Sequence, residues 1–132
     1  AGNLQAYTVH VVRTLEAKEA IAIASDQEFI ATAPVVLVFC ADIERSERKY
    51  GERGAEIYAV QDATIACAYA QLAAANEGLG SVWVGGFEPL EVARIVNAVA
   101  YEIPVAVLPI GHTKEKPDAT SRRPIEDIVR EV

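Results

Sequence analysis

The chain has 132 residues and a mass of 14.2 kDa, with 52% apolar and 23% charged side chains, which suits one compact domain and excludes intrinsic disorder. A net charge of −7 would repel a phosphate backbone, which argues against general nucleic-acid binding. No apolar run approaches the roughly 18 residues of a membrane span and no signal-peptide pattern opens the chain, so a soluble, cytoplasmic protein without a membrane partner is expected. The sequence starts Ala-Gly-Asn and contains no methionine, so it is expected to be processed, engineered or incomplete.

Residues 7–13 alternate, with Val9 and Val11 on one face and Thr8 and His10 on the other, the period of a half-buried strand. Residues 15–25 take a helical period. Residues 29–33 read as a turn ending at Pro34, which cannot continue a helix. Residues 34–41 form a continuous β-branched and aromatic run that predicts a strand buried on both faces, central in a sheet. The densely charged residues 43–53 are helical or irregular, and together with Gly54 they are the one segment that reads as a substrate lid.

Residues 55–77 predict one long helix with no charged side chain between Asp62 and Glu77, and therefore no solvent face. Ala59, Ala63, Ala66, Ala70 and Ala73 would admit a close neighbour, while Tyr58, Ile65, Tyr69 and Leu72 supply bulk. A domain this small rarely encloses a helix on all sides, so part of it is expected to meet a second subunit. Gly78 and Gly80 end the helix with a left-handed cap. A short strand over 81–84 runs into Gly85 and Gly86; Glu88 and Pro89 then start a helix reaching about Val96. Residues 105–110 form another apolar strand, and a short helix starts near Pro124. Interleaved strands and helices favour a layered α/β arrangement.

Few stretches could carry chemistry. Gly85 and Gly86 leave backbone free to approach a planar ligand, although a tight strand-to-helix turn is the commoner reason for such a pair. The run GLGSVWVGG follows a helix and lacks the spacing of a dinucleotide fingerprint. Arg122 and Arg123, with Lys114 and Lys116 upstream, form a cationic cluster that could hold a phosphate or simply be a solvated tail. Asp62 is more often a satisfied structural carboxylate than a ligand contact. Cys40 and Cys67 read as small buried hydrophobes, His10 and His112 fit no metal-ligand pattern, and hydrolase or NTPase signatures are missing, so an enzyme here would lean on a cofactor.

Taken together, AGNLQAY, APVVLVFCAD, YGERGAEIYAVQDATIA, GLGSVWVGGF, VAVLPIGH and EKPDATSRRPIED resemble, in order and spacing across the whole chain, the FMN-dependent nitroreductase-like flavoproteins. The resemblance implies an α+β fold of three α/β/α layers with a mixed, largely antiparallel sheet, residues 1–132 forming a single flavin-binding domain that is N-terminally incomplete. It implies a homodimer holding two FMN molecules between its subunits, reduced by NAD(P)H and reoxidised by a nitroaromatic, a quinone or a related small-molecule acceptor. Asn3 and Gln5 would contact the flavin across the dimer. Trp83, Val84, Gly85 and Gly86 would lie along the ring, and Arg122 with Arg123 would hold the FMN phosphate. No side chain need act as acid or base. Two departures stand out: the chain starts inside the family's first motif, and Tyr69 stands where relatives often carry asparagine. The alternatives are a non-catalytic dimer of the same fold that binds flavin or another planar ligand, and a different flavin reaction such as reductive dehalogenation.

Overall fold

The computed structural model describes residues 2–115 and 117–132. Ala1 and Lys116, the latter a member of the cationic cluster above, lie outside the described residues. Strands β1 (Tyr7–Val12), β2 (Val35–Asp42), β3 (Gly80–Ser81) and β4 (Glu102–Gly111) form one sheet in the order β1-β2-β4-β3, and all three ladders are antiparallel. Helices α1 (Leu15–Ser25), α2 (Phe29–Thr32) and α5 (Pro89–Ile95) cover one face, while α4 (Ala59–Asn76) covers the other. The result is the three-layer α+β arrangement that the resemblance implies.

β2 shows why the layers form. Its side chains alternate between the two faces of the sheet: Val36, Val38 and Cys40 pack with Ile21, Ile30 and Val92, whereas Phe39 packs with Cys67 and Leu108 and Ala41 with Ala59 and Ala63. Fully burying one such Val, Ile or Phe side chain is worth about 1.5–3 kcal/mol, so a strand apolar from Val35 to Ala41 gains most when covered on both sides. The central strand position expected from the sequence is the one observed.

β4 starts at Glu102, three residues before the apolar run that marks it in the sequence. The ladder with β2 shifts register between Phe39 and Cys40, so that Pro104 is accommodated next to a bulge around Val105. Of the strand expected over 81–84 only Ser81 is regular, paired in a two-residue strand with Gly80; Val84 instead makes an isolated bridge to Val107. Residues 29–33, expected as a turn, contain the short helix α2, and the final helical turn near Pro124 is a 3₁₀ turn at Ile125–Asp127.

The long helix expected over 55–77 is present over residues 54–76, with an irregular first turn. A π-helical turn at Gly54–Tyr58 precedes α4, and a Cβ on Gly54 would come within 2.5 Å of the Ser46 carbonyl oxygen, so glycine is required there by close backbone approach. Gly78 adopts φ +73° past the end of α4, and the Leu79 N–H donates to the Ala74 carbonyl, the left-handed cap anticipated. The sheet covers only one side of α4. Ala59, Ala63 and Cys67 are fully buried against it at four-residue spacing, but Ile65, Tyr69 and Leu72 are 53%, 69% and 66% exposed. This apolar stripe is the solvent face that an uncharged helix was expected to lack within one subunit.

The charged residues 43–53 are helical. Helix α3 (Ile43–Arg53) starts at Asp42, whose carboxylate accepts the Arg45 N–H at 2.9 Å, and breaks at Gly51, where φ is +61°. No helix among the described residues is long and apolar enough to cross a membrane.

Candidate functional site

The N-terminal segment has the most unusual backbone in the molecule. Gly2, Asn3 and Gln5 have φ of +58°, +55° and +51°. The other non-glycine residues with positive φ among those described are Asp26 and Asn97, which follow the ends of α1 and α5, where left-handed geometry is ordinary. Asn3 and Gln5 end no helix. A left-handed residue with a side chain costs roughly 1–2 kcal/mol, and such strain persists only where surrounding bonds enforce it.

Those bonds are present. Ala6 is fully buried; its N–H donates to the Asp62 carboxylate at 3.1 Å and its carbonyl accepts the Asp42 N–H at 3.0 Å. One residue back from Gln5, the Leu4 carbonyl accepts the Arg45 Nε–H at 2.6 Å. A Cβ on Gly2 would collide with the Tyr50 hydroxyl. Asp62 is thus a structural carboxylate, the commoner of the two readings of its sequence position. Held in this way, the Gln5 side-chain amide donates to the Asn3 carbonyl and to Asn3 Oδ1, both at 3.1 Å, and the two amides border a groove of about 200 Å³ lined also by Tyr7, Asp62, Ile65 and Tyr69.

The second group of expected contacts lies at the β3-to-α5 connection. Trp83 is half-buried against the α4-side core, and Val84 is buried in the opposite core through its paired bonds with Val107. Its side chain is therefore committed to packing, and only its backbone borders the turn. Gly85 and Gly86 are exposed, and neither has positive φ. A Cβ on Gly86 would meet nothing within 4 Å, and one on Gly85 would meet only Trp83, with Nε1 nearest at 3.6 Å. Neither N–H donates to a described residue. The turn is open on the side where a planar group could sit.

The third group stands apart. Every described residue from 112 to 132 is exposed. Among the described residues Arg122 bonds only to the neighbouring Thr120 and Ser121, and Arg123 Nη2 donates to the Asp127 carbonyl at 2.7 Å. One copy of the chain therefore organises Asn3 with Gln5, and residues 83–86 with one another, but leaves the arginines extended.

Elsewhere the chemistry is structural. Burial pushes the Cys67 thiol up to about 11, and burial together with the charge of Glu102 pushes Cys40 up to about 12, so neither is a nucleophile. His10 Nε2 lies 3.0 Å from Glu102 Oε2, joining β1 to the start of β4. Burial raises the Glu102 carboxyl, but hydrogen bonds from Thr8, the Val99 N–H and His10 outweigh this and hold it below its ordinary value. No cluster of metal-ligating side chains occurs among the described residues. Sequence reasoning missed Arg45 and Tyr50, which shape the N-terminal segment; their only signal was a charged run.

The layered sheet and the open Gly85 and Gly86 turn define an α+β domain with exposed backbone at one strand-to-helix connection, and comparison with known proteins gives the family. The profile of the nitroreductase family matches residues 1–112, and the chain belongs to that family. It is 33% identical to a Bacillus subtilis protein named FMN reductase (NAD(P)H) over 96% of this chain and 56% of that one. It is 28% identical to a Thermus thermophilus NADH dehydrogenase over 98% of this chain and 77% of the relative. Among solved structures, NfrA2 of B. megaterium superimposes with a TM-score of 0.89 at 29% identity, over 98% of this chain and 58% of that one. The chain spans about half the length of the first curated relatives it matches, 43% and 56%.

Proposed function

We propose that the protein is a cytoplasmic, homodimeric flavin oxidoreductase that binds FMN where two subunits meet and uses NAD(P)H as reductant. The observation that carries this reading is the continuity of two surfaces. Ile65 and Tyr69, which border the groove beside Asn3 and Gln5, belong to the exposed apolar stripe of α4. A second copy seated on that stripe would close over the groove. At about 200 Å³ the groove is smaller than a typical cofactor site of roughly 300–1,000 Å³, as half of a shared site would be. Relatives named for FMN reduction and NADH oxidation support the cofactor pair.

The residues present suit the group. Gly85 and Gly86 offer uncommitted N–H donors and no side chains, fit for the polar rim of a flat ring, with the indole of Trp83 beside them and the Val84 backbone leading in. Asn3 and Gln5 offer amides that can donate and accept, and Arg122 and Arg123 offer the guanidinium groups that pair with phosphate. Bound FMN would supply hydride transfer from NAD(P)H to a nitroaromatic, quinone or related acceptor. The protein's share is to orient both partners and exclude water, so no residue is assigned as acid or base.

The test is the visible spectrum and the sedimentation of the purified chain after addition of FMN and removal of the excess. Retained flavin bands on a dimer are expected, bleached by NADH or NADPH under nitrogen. A colourless monomer would overturn the proposal, and bands that no nicotinamide bleaches would favour the non-catalytic flavin binder.

A further inference from the structure

Helix α3 has no assigned role in a nitroreductase-like site, yet one of its side chains reaches the N-terminal segment expected to form part of one. Asp42 joins two tasks at the β2-to-α3 junction: its N–H fixes the Ala6 carbonyl, and its carboxylate caps α3 through the Arg45 N–H. That cap sets where Arg45 sits. The exposed Arg45 side chain then runs back across 41 positions of sequence to the Leu4 carbonyl, the peptide between the two left-handed residues Asn3 and Gln5. A peptide flanked by left-handed residues relaxes to extended geometry unless something holds it. Asp62 holds the segment from the far side, at Ala6.

We propose that Arg45 is a positioning residue for cofactor binding: its guanidinium keeps the peptide between Asn3 and Gln5 in the strained shape that places their amides side by side at the groove. The inference rests on the flavin reading above. Arg45 touches only the backbone of the segment, so its effect on flavin passes through the conformation of Asn3 and Gln5. Because its capping role belongs to its backbone N–H, replacing the side chain leaves α3 intact.

Arg45→Ala and Arg45→Lys in the full 132-residue chain test this, with hydrogen exchange of the Tyr7 amide, which donates to the Gln5 carbonyl at 2.8 Å, and FMN titration by fluorescence quenching. Arg45→Ala is expected to speed Tyr7 exchange in the flavin-free protein and to raise the FMN Kd about tenfold, within the usual range of coupling between two sites, while the melting temperature stays at the wild-type value. The lysine, which can still donate to Leu4, is expected to restore most of both. Unchanged exchange, faster exchange with unchanged affinity, or a lowered melting temperature that lysine does not rescue would each overturn the inference while leaving the flavin reading standing. A wild-type chain that binds no FMN would instead overturn that reading, and the inference with it.

Discussion

The two ends of the chain both supply expected flavin contacts, and they are organised in opposite ways. Residues 2–6 are tied down by bonds that span 41 and 56 positions of sequence, and their strained backbone is imposed by Arg45, Asp62 and Asp42. Arg122 and Arg123 bond only to residues within four positions of themselves, on a fully exposed tail. The first end has met its ordering cost in folding; the second must meet it when a ligand or a second subunit arrives. Ordering one residue costs roughly 1–2 kcal/mol, so a tail of this length contributes affinity only where a strong charged contact repays it.

The largest expected effect lies at the turn that both ends would have to meet. Gly86→Val should abolish FMN binding while leaving the melting temperature unchanged, because a Cβ there meets nothing of its own chain. Wild-type affinity in this variant would remove the turn from the site. Next, Arg122→Ala should weaken FMN binding by about 1.5–3 kcal/mol, the range for a hydrogen bond to a charged group, without any loss of stability. Titration alongside thermal denaturation reads both quantities, and a fall in melting temperature would show that the tail is packed rather than waiting.

Asp62→Ala should do the reverse at the other end. It leaves the buried Ala6 N–H without its carboxylate partner and should lower stability by about 1–3 kcal/mol in urea denaturation. If stability holds and only FMN affinity falls, Asp62 contacts the ligand and the contrast between the two ends is weaker than drawn.

The contrast also marks what could be read in the sequence. β2 was legible because residues 35–41 are all apolar and the strand is covered on both faces. The start of β4 was not, since Pro104 reads as a boundary unless the bulge opposite Cys40 is known. The π-helical turn that opens the long helix was invisible because Gly54 is there for its nearness to the Ser46 carbonyl, a contact between residues that no periodicity links. Asn3 and Gln5 were named through family resemblance, but nothing in their composition announces a left-handed backbone. That conformation is imposed from α3 and α4, and a charged run such as residues 43–53 looks the same whether its arginines face water or a carbonyl. Whether the site residues meet at all depends on a second copy, which one chain's sequence pattern can suggest only through the bare stripe on α4.

The smallest expected effect concerns the link between β1 and the start of β4. Thr8 and His10 bind Glu102, whose carboxyl is held below its ordinary value of 4.5. A depressed carboxyl contributes stability that is fully present above the unfolded value and is lost as pH falls through 4.5 and then through the folded value. Wild-type protein should therefore lose stability progressively below about pH 5, and Glu102→Gln should start lower at pH 7 and show a shallower acid limb. The Arg45 clamp behaves differently: it holds a backbone carbonyl rather than a carboxylate, so Arg45→Ala should keep the wild-type acid limb. Melting curves from pH 7 down to about pH 3.5 separate the clamp on the N-terminal segment from the Glu102 link to β1. An acid limb that flattens in Arg45→Ala would mean that the N-terminal segment and the Glu102 pair release together, as one cooperative unit rather than two.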